Sequence, residues 1–277
     1  MTARRDAGGG TRTLRDPALE GPLAFLGGPY GNHLALRAAL EDARRRGAER
    51  LFCLGDLGGF GPNPGRVHAV LEEFGVETIA GNYDVSLASR RADCGCGYTH
   101  PDDNRFARLS YEYTDRRTTD AERRRLAALP GRIRFGRGGR RYLLCHGSPR
   151  RVNEFLFDSA SSDAFLERLA REAEADVVIA GHTGLHWQRL LPGGSRFVNA
   201  GAVGRPANDG RTSVWYAFLP AGSEDAEFVP VSYDHEALAR EMREEGLPEE
   251  FVETILTGWW TTCLEILPAR ERARGRF

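Results

Sequence analysis

One acid, one carboxamide and two imidazoles stand in four glycine-bearing segments of this sequence. They are Asp56 in Gly55-Asp56-Leu57-Gly58, Asn82 in Gly81-Asn82-Tyr83-Asp84, His146 in His146-Gly147-Ser148-Pro149, and His182 in Gly181-His182-Thr183-Gly184. Carboxylate oxygen, amide oxygen and ring nitrogen together make a mixed donor set that suits Zn, Mn or Fe. Neighbouring glycine lets the backbone turn sharply and approach a ligand. Each segment closes a short apolar run, and ligands of open α/β sheets bind beyond the carboxyl ends of the strands. These four residues are the candidate metal ligands.

The elements that must carry them follow a rhythm. Residues 23–26, 51–54 and 76–80 have the short apolar runs of buried strands. Between them, residues 33–46 and 64–74 have helical spacing, and Gly47 is a helix stop. Strand and helix in alternation predict parallel βαβ units. Residues 86–130 differ: the loop Asp93-Cys94-Gly95-Cys96-Gly97 precedes expected helices over 104–113 and 120–129. Strand patterns return at 142–145, 176–180, 187–191, 196–199, 213–219 and 227–231, with a helix expected over 161–174. Short turns such as Pro192-Gly193-Gly194 make the later strands an expected antiparallel meander. Two helical stretches follow, over 236–245 and 249–267. The expected organisation is a flexible tail over 1–22, one domain over 23–233, and a C-terminal helical extension with an Arg-rich tail over 234–277.

Bulk composition excludes several classes. Apolar residues make up 41% of the 277 and charged residues 28%, ordinary for a globular chain. The formal net charge of −1 gives no field to draw nucleic acid or an anionic membrane. All 38 basic residues are Arg, which rules out a Schiff-base or P-loop Lys. The first 22 residues lack the apolar core of a signal peptide. No stretch approaches the roughly 18 apolar residues that span a bilayer. Five Cys, an odd number without paired long spacings, argue against a secreted disulfide framework. A cytoplasmic, reduced protein is the expectation.

Order and spacing of the polar segments resemble the calcineurin-like metallophosphoesterases, in particular their small bacterial phosphodiesterase branch. The likeness runs from about residue 23 to 233. It rests on Gly55-Asp56 with Gly61, Asn63 and Pro64, on Gly81-Asn82-Tyr83-Asp84, on His146-Gly147, on Gly181-His182-Thr183-Gly184, and on a closing Asn199-Ala200-Gly201-Ala202-Val203-Gly204. It implies an α/β fold, a four-layer αββα sandwich of two mixed β-sheets, with the C-terminal helical extension added. It also implies two metals about 3.5–4 Å apart, bridged by one Asp and a hydroxide that attacks phosphorus.

Departures from the family pattern are not scattered. By resemblance the first metal takes an Asp-x-His pair, here Gly28 and Tyr30, and the last His of Gly-His-x-His, here Gly184. All its private ligands are gone. The second metal's set maps onto Asp56, Asn82, His146 and His182 and is complete. One divalent or trivalent ion (Mn, Fe or Zn) is therefore expected per chain, the alternative being none.

Tyr83 stands where the family has a His that contacts the phosphate or protonates the leaving group. A phenol with pKa near 10 is a poor proton donor at neutral pH. Arg150 and Arg151 follow His146-Gly147-Ser148-Pro149 and could clamp a phosphate bidentately. Tyr83, Asp84 and Arg150 are the candidate catalytic residues, and Arg205 and Asn208 are weaker versions of the same clamp. As auxiliaries, Tyr30 could ligate Fe(III) as phenolate, and His33 or His186 could reach the emptied position. On the plainer reading Tyr30 and Tyr83 fill that hole with their rings. Cys94, Cys96 and His100 are weighed as a thiolate or redox site, although one intervening residue is not the spacing of zinc ribbons.

The expected function is hydrolysis of a phosphoester by a metal-activated water, on a phosphorylated small molecule or nucleotide. One alternative is an inactive protein of the same fold that binds a phosphorylated ligand or partner. A second centres on the Cys94/Cys96 loop. No membrane or nucleic-acid partner is indicated, and the sequence leaves the oligomeric state open.

Overall fold

In the computed structural model, which describes residues 10–273, the strands divide into two mixed sheets. The first half of the chain contains β1 (Thr11–Thr13), β2 (Leu23–Leu26), α1 (His33–Arg45), β3 (Arg50–Cys53), α2 (Pro64–Glu73), β4 (Glu77–Thr78) and α3 (Asn82–Ala88). Next come α4 (Pro101–Arg117), α5 (Asp120–Ala127), β5 (Arg132–Arg137), β6 (Arg140–Cys145) and α6 (Asp163–Glu172). Then follow β7 (Val177–Ala180), β8 (His186–Leu190), β9 (Arg196–Ala200), β10 (Val214–Leu219) and β11 (Glu227–Val231). The chain closes on α7 (His235–Glu244), α8 (Glu249–Thr257) and α9 (Ala269–Arg272). One sheet runs β1-β5-β6-β7-β9-β8 and the other β11-β10-β2-β3-β4.

The period of two along each strand builds the layers. Leu23, Phe25, Phe52 and Leu54 face the other sheet and join Ile133, Phe135, Tyr142, Leu144, Ile179 and Val198. Their neighbours Ala24, Leu26, Leu51 and Cys53 face outward, against Leu36 and Leu40 of α1. On the opposite side Leu143, Cys145 and Val178 pack on Leu166 and Leu169 of α6. Rings bridge the sheets: Phe25 stacks on Phe52 at 5.2 Å, Phe52 on Phe135 at 5.8 Å, and Phe135 on Tyr142 at 5.0 Å. The expected four layers, with two mixed sheets between flanking helices, are therefore present.

Helix α1 shows how locally this is encoded. Asn32 caps it by accepting from the backbone of Ala35 at 3.0 Å. Ala35, Leu36, Ala39, Leu40 and Ala43, three or four apart, supply the buried face. Strands β2, β3 and β4 are parallel neighbours joined by α1 and α2. Their carboxyl ends therefore emerge together, beside those of the parallel pair β6 and β7.

Several expectations are corrected. Residues 11–13 are no free tail but a strand parallel to β5, while residues 1–9 lie outside the described set. The β5 strand has too weak an apolar pattern to be read from sequence, because Arg132, Arg134 and Gly136 hold one side and buried Arg137 follows Ile133 and Phe135 on the other. The expected meander breaks in the middle: β7 pairs parallel with β9, β8 and β9 form a hairpin, and β10 crosses to the other sheet. Helix α8 stops at Thr257, where Gly258 takes a left-handed φ of 75°. The Arg-rich end is partly folded, since α9 buries Glu271, whose carboxylate accepts from the backbone of Ser159 at 3.0 Å. Among the described residues no helix is long and apolar enough to cross a membrane.

Candidate metal centre

Beyond Cys53 the chain turns through Gly55 and Asp56, both at positive φ (88° and 56°). The turn is held from below by Asp84, whose carboxylate accepts from the backbone N–H of Asp56 at 2.7 Å, Gly81 at 2.8 Å and Leu57 at 3.1 Å. Asp56 Oδ1 accepts from the Tyr83 backbone at 3.0 Å, at the first turn of α3. Gly81 must be glycine, because a Cβ there would overlap that oxygen. Asn82 donates through Nδ2 to the Cys94 carbonyl at 2.9 Å, which turns its Oδ1 inward.

Four ligand atoms converge from these loops. His146 Nε2 lies 3.2 Å from Asp56 Oδ2, 3.1 Å from Asn82 Oδ1 and 3.1 Å from His182 Nδ1. The other ring nitrogen of His146 donates to the Leu54 carbonyl at 2.5 Å, which assigns the tautomer with a lone pair on Nε2. Oxygen and nitrogen lone pairs thus face one another in a buried place, and a single proton on Nε2 can serve only one of them well. A cation serves all four at once. The donor atoms of Asp56, His146 and His182 lie within 4.8 Å of one another, and Asn82 completes the mixed set. The residues present therefore fit a metal ion, and the four candidates of the sequence lie together in the fold.

The metal-free charges are balanced within this group. Burial works to raise the Asp56 carboxyl, but the charge and hydrogen bond of His146, helped by His182, hold it below its usual range. His146 is opposed by burial, yet Asp56 lifts it above the ordinary imidazole value. Burial and then the charge of His146 push His182 down to about 3. Asp84 is raised to about 7 by burial and by the Asp56 charge.

Where the resemblance expects ligands of a first metal, other groups stand. A Cβ on Gly28 would overlap Cε1 of Tyr30 and come within 2.8 Å of its Cζ. A Cβ on Gly184 would lie 3.1 Å from Cη2 of Trp260 and 3.4 Å from Nη2 of Arg205. Gly184 also has φ of 74°, where a side chain is strained. The Tyr30 ring, the Trp260 indole and the Arg205 guanidinium thus occupy the positions into which side chains at 28 and 184 would project.

Next to the centre opens a cleft of about 60 Å³, lined by Tyr30, Asp56, Phe60, Tyr83, Tyr98, Phe106, His182, Arg205, Phe251 and Cys263, among others. Five of these residues have left-handed backbone: Tyr30 (48°), Asp56 (56°), Phe60 (47°), His182 (65°) and Cys263 (59°). Such conformations cost on the order of 1–3 kcal/mol each and persist where surrounding structure over-determines them, commonly at functional sites.

Other sequence candidates fall in various places. Tyr83 lines the cleft, but its hydroxyl donates to Ser110 Oγ at 3.1 Å, and burial raises its pKa far above that of a free phenol. Asp84 does not line the cleft and contacts it only through the Asp56 loop, so its expected catalytic part becomes one of positioning. Arg150 is corrected outright: it faces outward, paired with Glu154 through Nε at 3.0 and 2.9 Å and lying over the Phe165 ring. Arg151 is exposed.

Of the auxiliaries, Tyr30 lies in the cleft with its phenol pKa pushed up by burial and by Asp56. His33 instead contacts Arg66 at 3.2 Å, and burial with the charges of Arg66 and Arg37 lowers it to about 4. His186 packs between Trp215 at 4.5 Å and Phe228 at 4.8 Å. Cys94 and Cys96 are joined by a disulfide, so neither supplies a thiolate, and exposed His100 caps α4. The thiolate-metal reading is thereby overturned. Asn208 accepts from the Trp260 backbone at 2.8 Å and anchors that ring rather than a ligand. No local pattern marks Phe60 and Tyr98 as cleft residues, or Trp260 as the ring against which Arg205 stacks. Arg205 had a signal, its place directly after the Gly204 turn, but was ranked below Arg150.

Comparison with known proteins gives three results. The family model of the calcineurin-like phosphoesterase superfamily domain matches residues 31–219. An uncharacterized protein of Methanocaldococcus jannaschii is 24% identical over 252 residues, which is 85% of this chain and 98% of that one. Among solved structures, a metallophosphoesterase from Sphaerobacter thermophilus matches with a TM-score of 0.67 and 24% identity, covering 86% of this chain and 99% of its own. A hypothetical protein from Pyrococcus horikoshii does so with a TM-score of 0.73 and 23% identity, over 87% and 99%. At such identities the structural likeness speaks to the fold.

Proposed function

Because this chain belongs to the calcineurin-like phosphoesterase superfamily, we propose that it is a metal-dependent phosphoesterase working with a single resident cation. The observation that carries this reading is the convergence of Asp56 Oδ2, Asn82 Oδ1 and His182 Nδ1 on His146 Nε2. Those four residues would hold the ion. When bound, it would supply a water of lowered pKa and polarise a phosphoryl oxygen.

What the chain does around it follows from the contacts. Leu54 fixes the His146 tautomer through Nδ1, the usual way an outer partner orients a ligand. Tyr83 N–H and the Asp84 clasp hold the Asp56 carboxylate in place. The Tyr83 hydroxyl, tied to Ser110 and raised by burial, is not a useful acid for the leaving group. The substrate is accordingly a phosphoester whose departing alcohol needs little protonation, within the class of phosphorylated small molecules and nucleotides.

The test is metal content beside turnover. Purified protein is expected to hold one Mn, Fe or Zn per chain and to hydrolyse an activated aryl phosphodiester. Asp56→Asn should lose both, with activity down at least about 100-fold. Two well-occupied metals per chain, or full metal content in the variant, would sink the single-cation reading. The same Tyr83 observation favours one rival, a protein that keeps the cleft for binding only. It predicts a ligand-dependent rise in Tm with no turnover under any metal.

A further inference from the structure

We propose that Arg205 is the oxyanion-binding residue of the cleft, receiving a phosphoryl group on the side of the centre where Tyr30 and Trp260 stand. Arg205 is only 8% exposed. Among the described residues it has no carboxylate partner, and its Nε is buried without a hydrogen bond. Its named contacts are with ring faces: the guanidinium carbon lies 3.5 Å from the Trp260 ring centre and 5.8 Å from that of Phe60. Stacking holds the guanidinium plane but uses none of its N–H donors.

A buried charge is normally paired, because taking it from water costs more than one face of an aromatic ring returns. The missing partner must then come from outside, and Arg205 lines a cleft that can admit one, beside Asp56 and His182. No other Arg lines that cleft among the described residues.

A planar fork of donors matches tetrahedral oxyanions bidentately. The volume of about 60 Å³ suits a group of phosphoryl size. Rigidity comes from Trp260, which donates through Nε1 to the Pro206 carbonyl at 2.7 Å and through its backbone to Asn208 at 2.8 Å. The guanidinium's support is therefore built before any ligand arrives.

The proposal deepens the phosphoesterase reading by naming the group that meets the phosphoryl oxygens, but its test does not depend on turnover. Inorganic phosphate is titrated into full-length protein by calorimetry, with metal and after chelation, with acetate as the control anion. Tryptophan fluorescence gives a second readout. Wild-type protein is expected to bind phosphate saturably in both states and acetate at least tenfold more weakly. Arg205→Met should weaken phosphate at least tenfold in both states while metal content stays the same. Arg205→Lys, keeping charge without the fork, should fall between and guards against a misfolded Met variant.

Phosphate binding unchanged in Arg205→Met, equal affinity for acetate, or no phosphate binding by the wild type in either state would each overturn the assignment. If the protein instead held no metal yet bound phosphate through Arg205, the clamp would stand and the hydrolytic reading would fall.

Discussion

His146 is pulled in two directions by its surroundings, and the balance makes a measurable statement about protons. Burial opposes its positive form, while Asp56, 3.2 Å away, favours it strongly enough to raise its pKa above 6.5. An imidazole with a raised native pKa stabilises the metal-free fold fully below its unfolded value and loses that contribution as pH climbs through the native one. For Asp56, held below 3.8, the contribution is present above that value and lost as pH falls through the lower native one. The metal-free protein should therefore be most stable between these limits. Metal competes with the His146 proton for the same lone pair. Calorimetry in buffers of different ionisation enthalpy should show proton release that rises towards one per metal as pH falls below the raised His146 pKa, with affinity changing towards tenfold per pH unit in that range. Binding without proton release would mean that His146 is not a ligand.

The loops after β2 and β3 are set by backbone strain as much as by side chains. Tyr30 N–H donates to the Asp56 carbonyl at 3.2 Å and Gly31 N–H to Leu57 at 2.9 Å, so the two loops share one hydrogen-bonded seam. That seam carries the Tyr30 ring over Gly28. Gly28→Asp restores a family-type acid but drives its Cβ into the ring. It should cost about 1–3 kcal/mol in urea denaturation. Gly28→Asp with Tyr30→His should recover at least half of that loss, since the clash is with one ring. If the single variant is neutral, or the pair merely additive, Tyr30 does not fill the vacated position. At this scale the sequence was most legible. Leu23–Leu26 and Glu227–Val231 coincide with their expected spans, because the first is apolar on both faces, the second alternates buried Val229 and Val231 with more exposed neighbours, and turn formers bound both. Strand β5 is hidden by outward Arg, and α3 by its start directly after Gly81, within a segment whose residues have the look of a loop.

Across the whole molecule, the four metal-ligand candidates were readable because each lies beside a glycine shortly after an apolar run. The cleft was not, because its walls come from segments with no local signature of a site. Phe60, Phe106 and Phe251 join α7 and α8 in one apolar cluster, which places the C-terminal helices over the loop after β3. The segment after α8 then brings Trp260 onto Arg205, and Thr262 and Cys263 to the cleft. The expected extension is thus part of the site, through contacts between residues 50 to 200 positions apart that periodicity does not report. Trp260→Leu separates the two halves of this arrangement. Removing the indole from its buried contacts with Arg205 and Pro206 should cost about 3 kcal/mol of stability. If the metal group is held only by its own loops, the variant should still bind one metal per chain. Phosphate affinity should drop several-fold, because the guanidinium loses the face that orients it. Loss of the metal along with the ring would instead mean that the C-terminal segment holds up the whole centre, and that the Arg205 side has no independence from Asp56 and its partners.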